Sequence, residues 1–368
     1  MKVGIPREVK NHEYRVACTP AGVRELVSRG HEVYIETGAG AGSTFEDDAY
    51  RYAGARVLDT ADEVWGIADL VLKVKEPVAE EYSRMRAGQT LFTYLHLAAS
   101  KECTDALLAS GITSIAYETV TGRDGSLPLL APMSEVAGRL APQAGSYHLM
   151  RSGGGRGVLM GGVPGVRPAN VVVLGAGVSG RNAIAAAHGM HASVTVLDLN
   201  IARLREIDDL YHGQVRTVMS NRHEVETLVR EADLVIGAVL VPGAKAPTLV
   251  SNDLVAQMKP GSVLVDIAID QGGCFADSRP TTHEDPTYRV HDSIFYCVAN
   301  MPGAVPHTST VALTNATLPY AIALAEQGWQ AATAADPGLA AGLSTHNGVL
   351  LNESVAVAHG YTAQHLVV

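Results

Sequence analysis

Long apolar runs are missing from this 368-residue chain. None approaches the roughly 20 residues needed to span a bilayer, and the opening MKVGIPREVK lacks the apolar core of a secretion signal. The expectation is a soluble, cytoplasmic protein with no membrane partner. Cysteine is scarce: Cys18, Cys103, Cys274 and Cys297 are scattered without C-x-x-C spacing, so neither a disulfide framework nor a zinc site is indicated and no metal is expected. Positive charge is in deficit, with 28 Lys and Arg against 38 Asp and Glu and a formal net charge of -10. A nucleic acid would require a basic field or stripe, so small molecules are the expected ligands. Aromatics are only 5% and charged residues 18%, against 47% hydrophobic residues rich in Val, Ala and Leu. That is the composition of a globular α/β protein.

The length exceeds what one hydrophobic core serves, which predicts two domains. The first third alternates Val/Ile-rich runs with amphipathic stretches: KVGIP, TPAGVRELVSRG, HEVYIE, ARVLD, DLVLKVKEP and QTLFTYLHLA. Thr19 and Pro20 read as the cap and first turn of a helix that Gly30 stops. From Ser134 to about Met150 a longer helix is expected, kinked or divided at Pro142, before the Gly/Pro-rich RSGGGRGVLMGGVPGVRP marks a boundary. Five cleaner runs follow, NVVVLG, SVTVLD, DLVIGAVL, SVLVDIAI and SIFYCVAN, apolar enough for strands buried on both faces of a doubly wound parallel sheet. Beyond Pro306 the chain reads as helical, including NGVLLNESVAVAHG, with no strand of comparable quality. This tail is expected to pack on the first domain.

Gly175-Ala176-Gly177-Val178-Ser179-Gly180 fits G-x-G-x-x-G, follows the strand NVVVL and opens an Ala-rich helix. The first glycine permits the tight turn, the second lets a pyrophosphate approach the backbone, and the third lets helix and strand pack closely. The helix N-terminus stabilises phosphate charge. Asp198 ends the next strand, where a carboxylate accepts from a ribose and repels a 2′-phosphate, so NAD is preferred over NADP. Arg203 is read first as a solvated helix charge, with pairing to a phosphate as its alternative. A second glycine run, Gly38 to Gly42, is rejected as a nucleotide site because Glu46, Asp47 and Asp48 open the helix after it and would repel an anion.

Several blocks outside this fingerprint carry a family resemblance. They are Gly4-Ile5-Pro6-Arg7-Glu8, Glu13 to Pro20, Lys73-Val74-Lys75-Glu76-Pro77, Phe92 to Ala98, Ala131 to Arg139, Asp266 to Gln271 and Ala299-Asn300-Met301-Pro302. Together they resemble the alanine dehydrogenases, over the whole chain. The resemblance implies two Rossmann-like doubly wound α/β domains, the NAD-binding one inserted in a discontinuous substrate domain. Their bounds are read as 130–306 and as 1–129 plus 307–368. It implies oxidative deamination of L-alanine to pyruvate and ammonia, the reverse amination, and a homohexamer. Pro142 departs from the helix former expected at its position.

The resemblance also assigns residues. Arg15, Lys75, Tyr94, Met133 and Asn300 would bind substrate; Arg15 offers a fork suited to a carboxylate, although its pattern alone suggests a surface charge. His96 would carry protons, although Tyr94-Leu95-His96-Leu97 alone suggests a core histidine. Asp270, at a strand's carboxyl end, would orient water or ammonia beside an iminium, with a turn cap as its bland alternative. Ser134, Gly175, Gly177, Val178, Ser179, Gly180, Asp198, Arg203, Ser220, Val239, Leu240, Ile267, Ala268, Ile269, Asp270, Arg279, Val298, Ala299, Asn300 and Met301 would contact NAD. Two rivals are the nucleotide-binding part of a transhydrogenase and a non-catalytic NAD-binding protein. The LFTYLHLA block counts against the first, and retention of Arg15, Lys75, His96 and Asp270 against the second.

Overall fold

The computed structural model describes residues 1–239 and 246–364. The chain forms two compact units, one of residues 1–133 with 305–368 and one of residues 134–304.

The first unit begins with the strands β1 (Lys2–Ile5), β2 (Glu32–Glu36), β3 (Arg56–Leu58), β4 (Leu70–Leu72), β5 (Thr90–Thr93) and β6 (Thr113–Ala116). Helices such as Pro20–Ser28 and Lys101–Ser110 intervene, capped by Thr19 and Ser100. The second unit supplies β7 (Asn170–Leu174), β8 (Ser193–Asp198), β9 (Arg216–Met219), β10 (Leu234–Gly237), β11 (Val263–Asp266), β12 (Thr287–Val290) and β13 (Ser293–Tyr296). The tail returns to the first unit with β14 (Leu343–His346) and β15 (Val349–Leu350).

The two sheets share one plan. The first runs β15-β14-β6-β5-β4-β1-β2-β3 and the second β12-β13-β11-β10-β7-β8-β9. Read from β3 the first runs 3-2-1-4-5-6, and read from β9 the second runs 3-2-1-4-5 before an edge hairpin in which β13 precedes β12; both are doubly wound, with the switch point between the first and fourth strands. Among the strands of the described residues, antiparallel pairing is found for β14 with β6 and β15, and for β12 with β13. In the second unit Val171, Val173, Leu234, Ile236, Val263 and Val265 pack on one face, and Val172, Leu174, Val235 and Leu264 on the other. Both faces are therefore core, which is why these strands are continuously apolar rather than alternating.

Three local findings differ from the sequence reading or complete it. The segment Ala131–Leu149 is one helix with Pro142 inside it. Proline has no N–H for the carbonyl four residues back, here that of Gly138; a side chain at Gly138 would lie 2.3 Å from the Ser179 carbonyl. The tail is not wholly helical: Asn347 and Gly348, with φ of 46° and 79°, turn β14 back on β15, and the helix begins only at Glu353. Asn-Gly between short apolar runs is a type I′ hairpin signal, and it outweighs the helical periodicity that follows. The long helical segment Pro306–Ala335 breaks at Gly328, where φ is 75° and ψ 162°.

Candidate active site

In open α/β sheets ligands bind beyond the carboxyl ends of strands at the switch point, and the proposed residues follow β1, β4 and β5 in the first unit. Glu8 lies after β1, Lys73 to Lys75 after β4, and Tyr94 to His96 after β5. The last two segments are joined: the Tyr94 amide donates to the Val74 carbonyl at 3.3 Å and the Thr93 hydroxyl to the Lys75 carbonyl at 3.0 Å.

Arg15 is 2% exposed, not the surface charge its neighbours suggested. Its Nε donates to Glu13 Oε1 at 2.6 Å, its Nη2 to Glu13 Oε2 at 2.5 Å, and its Nη1 meets the Met133 thioether at 2.9 Å. This is the bidentate fork that a guanidinium presents to any carboxylate. Burial pushes Glu13 up, but the Arg15 charge and hydrogen bonds hold it below the usual carboxylate value, and Lys75 adds to that effect. Tyr94 is buried, donates to the Leu129 carbonyl at 2.5 Å, and has its phenol pushed up by burial. Its ring stacks on that of His96, with centroids 5.7 Å apart and planes 5° apart.

His96 corrects the core-histidine alternative. Its side chain is 44% exposed, because φ of 48° turns the chain out of β5 before the short helix Leu97–Ala99. Glu118 holds that turn, accepting from the His96 amide at 2.6 Å and the Leu95 amide at 3.1 Å, with Oε1 4.0 Å from His96 Nδ1. Glu118 was missed from sequence, since it lies 22 residues away with no spacing signal.

A second group of charges, centred on Lys73, was also missed. Lys73, fully buried, reaches Glu8 Oε2 at 3.0 Å and Glu81 Oε1 at 2.8 Å, while Glu8 Oε1 accepts from the Val74 amide at 2.6 Å. Burial alone would lower Lys73, but two flanking carboxylates leave it above its ordinary value; Glu8 stays raised because burial outweighs Lys73.

The second unit holds most of its proposed residues beyond β7, β8, β9, β10, β11 and β13, with Ser134 on the helix Ala131–Leu149. Gly175 has φ of 102°, and a side chain at Gly180 would lie 1.8 Å from the Gly175 carbonyl, so the turn requires both glycines. A Cβ on Gly177 would meet nothing nearer than Arg203 Nη1 at 4.0 Å. The turn thus leaves space above Gly177 at the N-terminus of the helix Val178–Gly189, with Val178 exposed and Ser179 half-buried. That cradle fits a dinucleotide pyrophosphate. Asp198 accepts from the Ala176 amide at 2.6 Å and the Asn200 amide at 2.7 Å, and Arg203 lies 3.8 Å from it, paired rather than simply solvated. The Ser220 amide donates to the Asp198 carbonyl at 2.9 Å.

Val239 flanks Gly175; Leu240 lies outside the described residues. Ile267 and Ala268 are half-buried and Ile269 buried, while Asp270 is exposed at the tip of its loop. Val298 and Met301 are buried, and Ala299 and Asn300 are half-buried, with Asn300 at φ 58°. Ser134 is half-buried at the second unit's first position. Arg279 is engaged elsewhere, its guanidinium 4.0 Å over the Tyr288 ring. The Gly38 turn is occupied by its own helix: Asp47 accepts from the Gly38 amide at 2.9 Å and the Thr37 hydroxyl at 2.7 Å.

Residues 4–137 match the family model described as alanine dehydrogenase/PNT, N-terminal domain, and residues 141–353 match its C-terminal domain. The chain is 69% identical over 356 residues to an alanine dehydrogenase of Mycolicibacterium smegmatis, covering 97% of this chain and 96% of that one. Among solved structures it is similar to an L-alanine dehydrogenase at 51% identity, with a TM-score of 0.95 over 98% of this chain and 99% of the other. It is also similar to a transhydrogenase from Sinorhizobium meliloti at 26% identity, with a TM-score of 0.82 over 96% of this chain and all of the other.

Proposed function

Because the chain belongs to the alanine dehydrogenase/PNT family, we propose that it uses NAD to interconvert L-alanine with pyruvate and ammonia at the residues described above. The activity is that of an alanine dehydrogenase, an oxidoreductase. The observation that carries the site assignment is the grouping of Arg15, Tyr94 and His96: a buried guanidinium, a buried phenol electrostatically linked to it, and an exposed imidazole stacked on that phenol.

Arg15 and Lys75 bind the substrate, and Met133, Tyr94 and Asn300 are its further proposed contacts. His96 moves a proton at Nε2, since Nδ1 faces Glu118. Asp270 orients water for attack on the iminium carbon and stabilises its charge. Gly175, Gly177, Val178, Ser179 and Gly180 hold the pyrophosphate and Asp198 the adenosine ribose, which favours NAD over NADP. The other residues read from sequence as cofactor contacts remain proposed contacts, except that Arg279 stacks on Tyr288 instead. When bound, the dinucleotide supplies the hydride acceptor. We read residues 1–129 with 307–368 as the substrate domain and 130–306 as the NAD domain, supported by the two compact units. A cytoplasmic homohexamer is proposed on the resemblance alone; light scattering tests the assembly.

The deciding assay is loss of NADH absorbance near 340 nm, about where any reduced nicotinamide absorbs, with pyruvate and ammonium, repeated with NADPH. Ammonium-dependent oxidation with NADH preferred is expected; NADH binding without turnover would favour a transhydrogenase-like or non-catalytic protein. His96→Gln should lower turnover by about 10²-fold or more while retaining NADH binding, and unchanged turnover would remove His96 from the proton path.

A further inference from the structure

Asp266 ends β11, is 0% exposed, and is used by none of the steps above. No cation pairs with it among the described residues; four donors surround it instead. Oδ1 accepts from the Ala268 amide at 3.0 Å and faces the Cys274 thiol at 3.6 Å. Oδ2 accepts from the Cys274 amide at 2.9 Å and the Ser278 hydroxyl at 2.5 Å. A desolvated carboxylate is costly unless its lone pairs are satisfied, and here the donors come from both limbs of one loop. The carboxylate therefore closes the neck of a loop running from Ile267 to Cys274.

The rest of that loop is tightly built. Gly272 and Gly273 turn it at φ of 90° and 74°, and their amides donate to the Ile269 and Ala268 carbonyls at 2.9 and 3.0 Å. A side chain at Gly273 would lie 2.6 Å from Asp266 Oδ2, and one at Gly237 would lie 2.2 Å from the Cys274 sulfur. Asp270 stands exposed at the tip, so its position depends on how the neck is held.

We propose that Asp266 is a positioning residue for the dehydrogenase reaction, clamping the neck of the 267–274 loop so that Asp270 is presented in one place. The proposal rests on the assignment of Asp270 to the reaction. Asp266→Asn preserves shape but turns an amide NH2 toward a backbone N–H in either flip, toward Cys274 or toward Ala268. The neck then loses its closure. A displacement of about 1 Å at a reacting group costs on the order of 10²-fold in rate.

The test is a double-variant cycle of Asp266→Asn and Asp270→Asn, read as kcat, KM for pyruvate and NADH affinity by fluorescence. Asp266→Asn should lower kcat by roughly 10²-fold, with a smaller loss of NADH affinity because Ile267 to Ile269 of the same loop are proposed cofactor contacts. Placed on top of Asp270→Asn, it should cost less than about threefold further, because groups acting through one another are not additive. Should Asp266→Asn fail to fold, Ser278→Ala removes a single donor and enters the same cycle with a smaller expected loss. Full additivity, or a loss confined to NADH affinity, overturns the positioning role. If Asp270→Asn itself leaves kcat unchanged, the parent assignment falls and this proposal with it; if only Asp270→Asn lowers kcat, the proposal alone falls.

Discussion

The two units solve one geometric problem with different chemistry. Both sheets share the order 3-2-1-4-5 over their first five strands and the same switch point. In the first, the space beyond the strands is filled by full charges taken out of water: Glu8, Lys73 and Glu81 in one group, Glu13 and Arg15 in another. In the second, it is lined by backbone amides and by glycines whose missing side chains leave room. A small charged substrate needs fixed counter-charges, because its recognition depends on few atoms. A dinucleotide has a long backbone and is held by many weak dipoles spread along one turn and a helix end. The first site should accordingly be fragile to loss of charge, and the second to gain of volume.

The largest effect should come from Lys73→Met. It leaves Glu8 and Glu81 buried without their shared cation, a situation that costs about 3–5 kcal/mol. Thermal melting should fall by on the order of 10 °C, and a fall of under about 2 °C would mean that the carboxylates are not a charged pair waiting on Lys73. Next, Gly177→Ala sharpens the contrast. The new methyl meets only Arg203 Nη1 at 4.0 Å, an unstrained contact, so melting should hold within about 2 °C while NADH affinity drops tenfold or more, roughly 1.4 kcal/mol. Unchanged affinity would show that the space above Gly177 is not used by ligand.

The smallest effect is in pH dependence. Glu13 sits below its ordinary value, since Arg15 more than offsets burial. A group lowered on folding contributes stability above its unfolded value, about 4.3 for glutamate, and loses that contribution as pH falls through the folded value. Glu13→Gln should flatten the acid limb of a melting-versus-pH curve. Asp266 in the other unit carries the opposite sign: burial raises it, so its contribution is present at low pH and declines as pH rises through the folded value. An acid limb as steep in Glu13→Gln as in the parent would show that the first unit's charge pairing does not set acid stability.

The same division explains what the sequence made legible. Strands β7, β8, β10, β11 and β13 and the Gly175–Gly180 turn are local patterns, and local patterns can be read from adjacent residues. Charge pairing is not local: Lys73 finds Glu8 across 65 residues, and His96 finds Glu118 across 22. Neither partner stands out in a list of acids. The core-histidine alternative for His96 fails because a single left-handed residue reverses the alternation that strand reading assumes. The hairpin of β14 and β15 was legible in Asn347-Gly348, but the longer amphipathic run after it dominated the reading. Even so, the resemblance of short blocks assigned Arg15, Lys75 and Asp270 where composition and spacing alone would have left surface charge or a turn cap.

The pairing of β14 with β6 sets Leu343 beside Ile115, and this has a consequence for synthesis. During translation all seven strands of the inserted unit have emerged once Tyr296 clears the ribosome, and its sheet can close at once. The earlier-made sheet must wait for residues near Leu350 before its edge is covered, holding an open β6 margin through the making of the entire inserted unit. Long-range closure of this kind is slow and leaves an unpaired strand edge available to other chains. The nascent chain is thus most exposed to misassociation at β6, in an interval whose length is set by the size of the insertion.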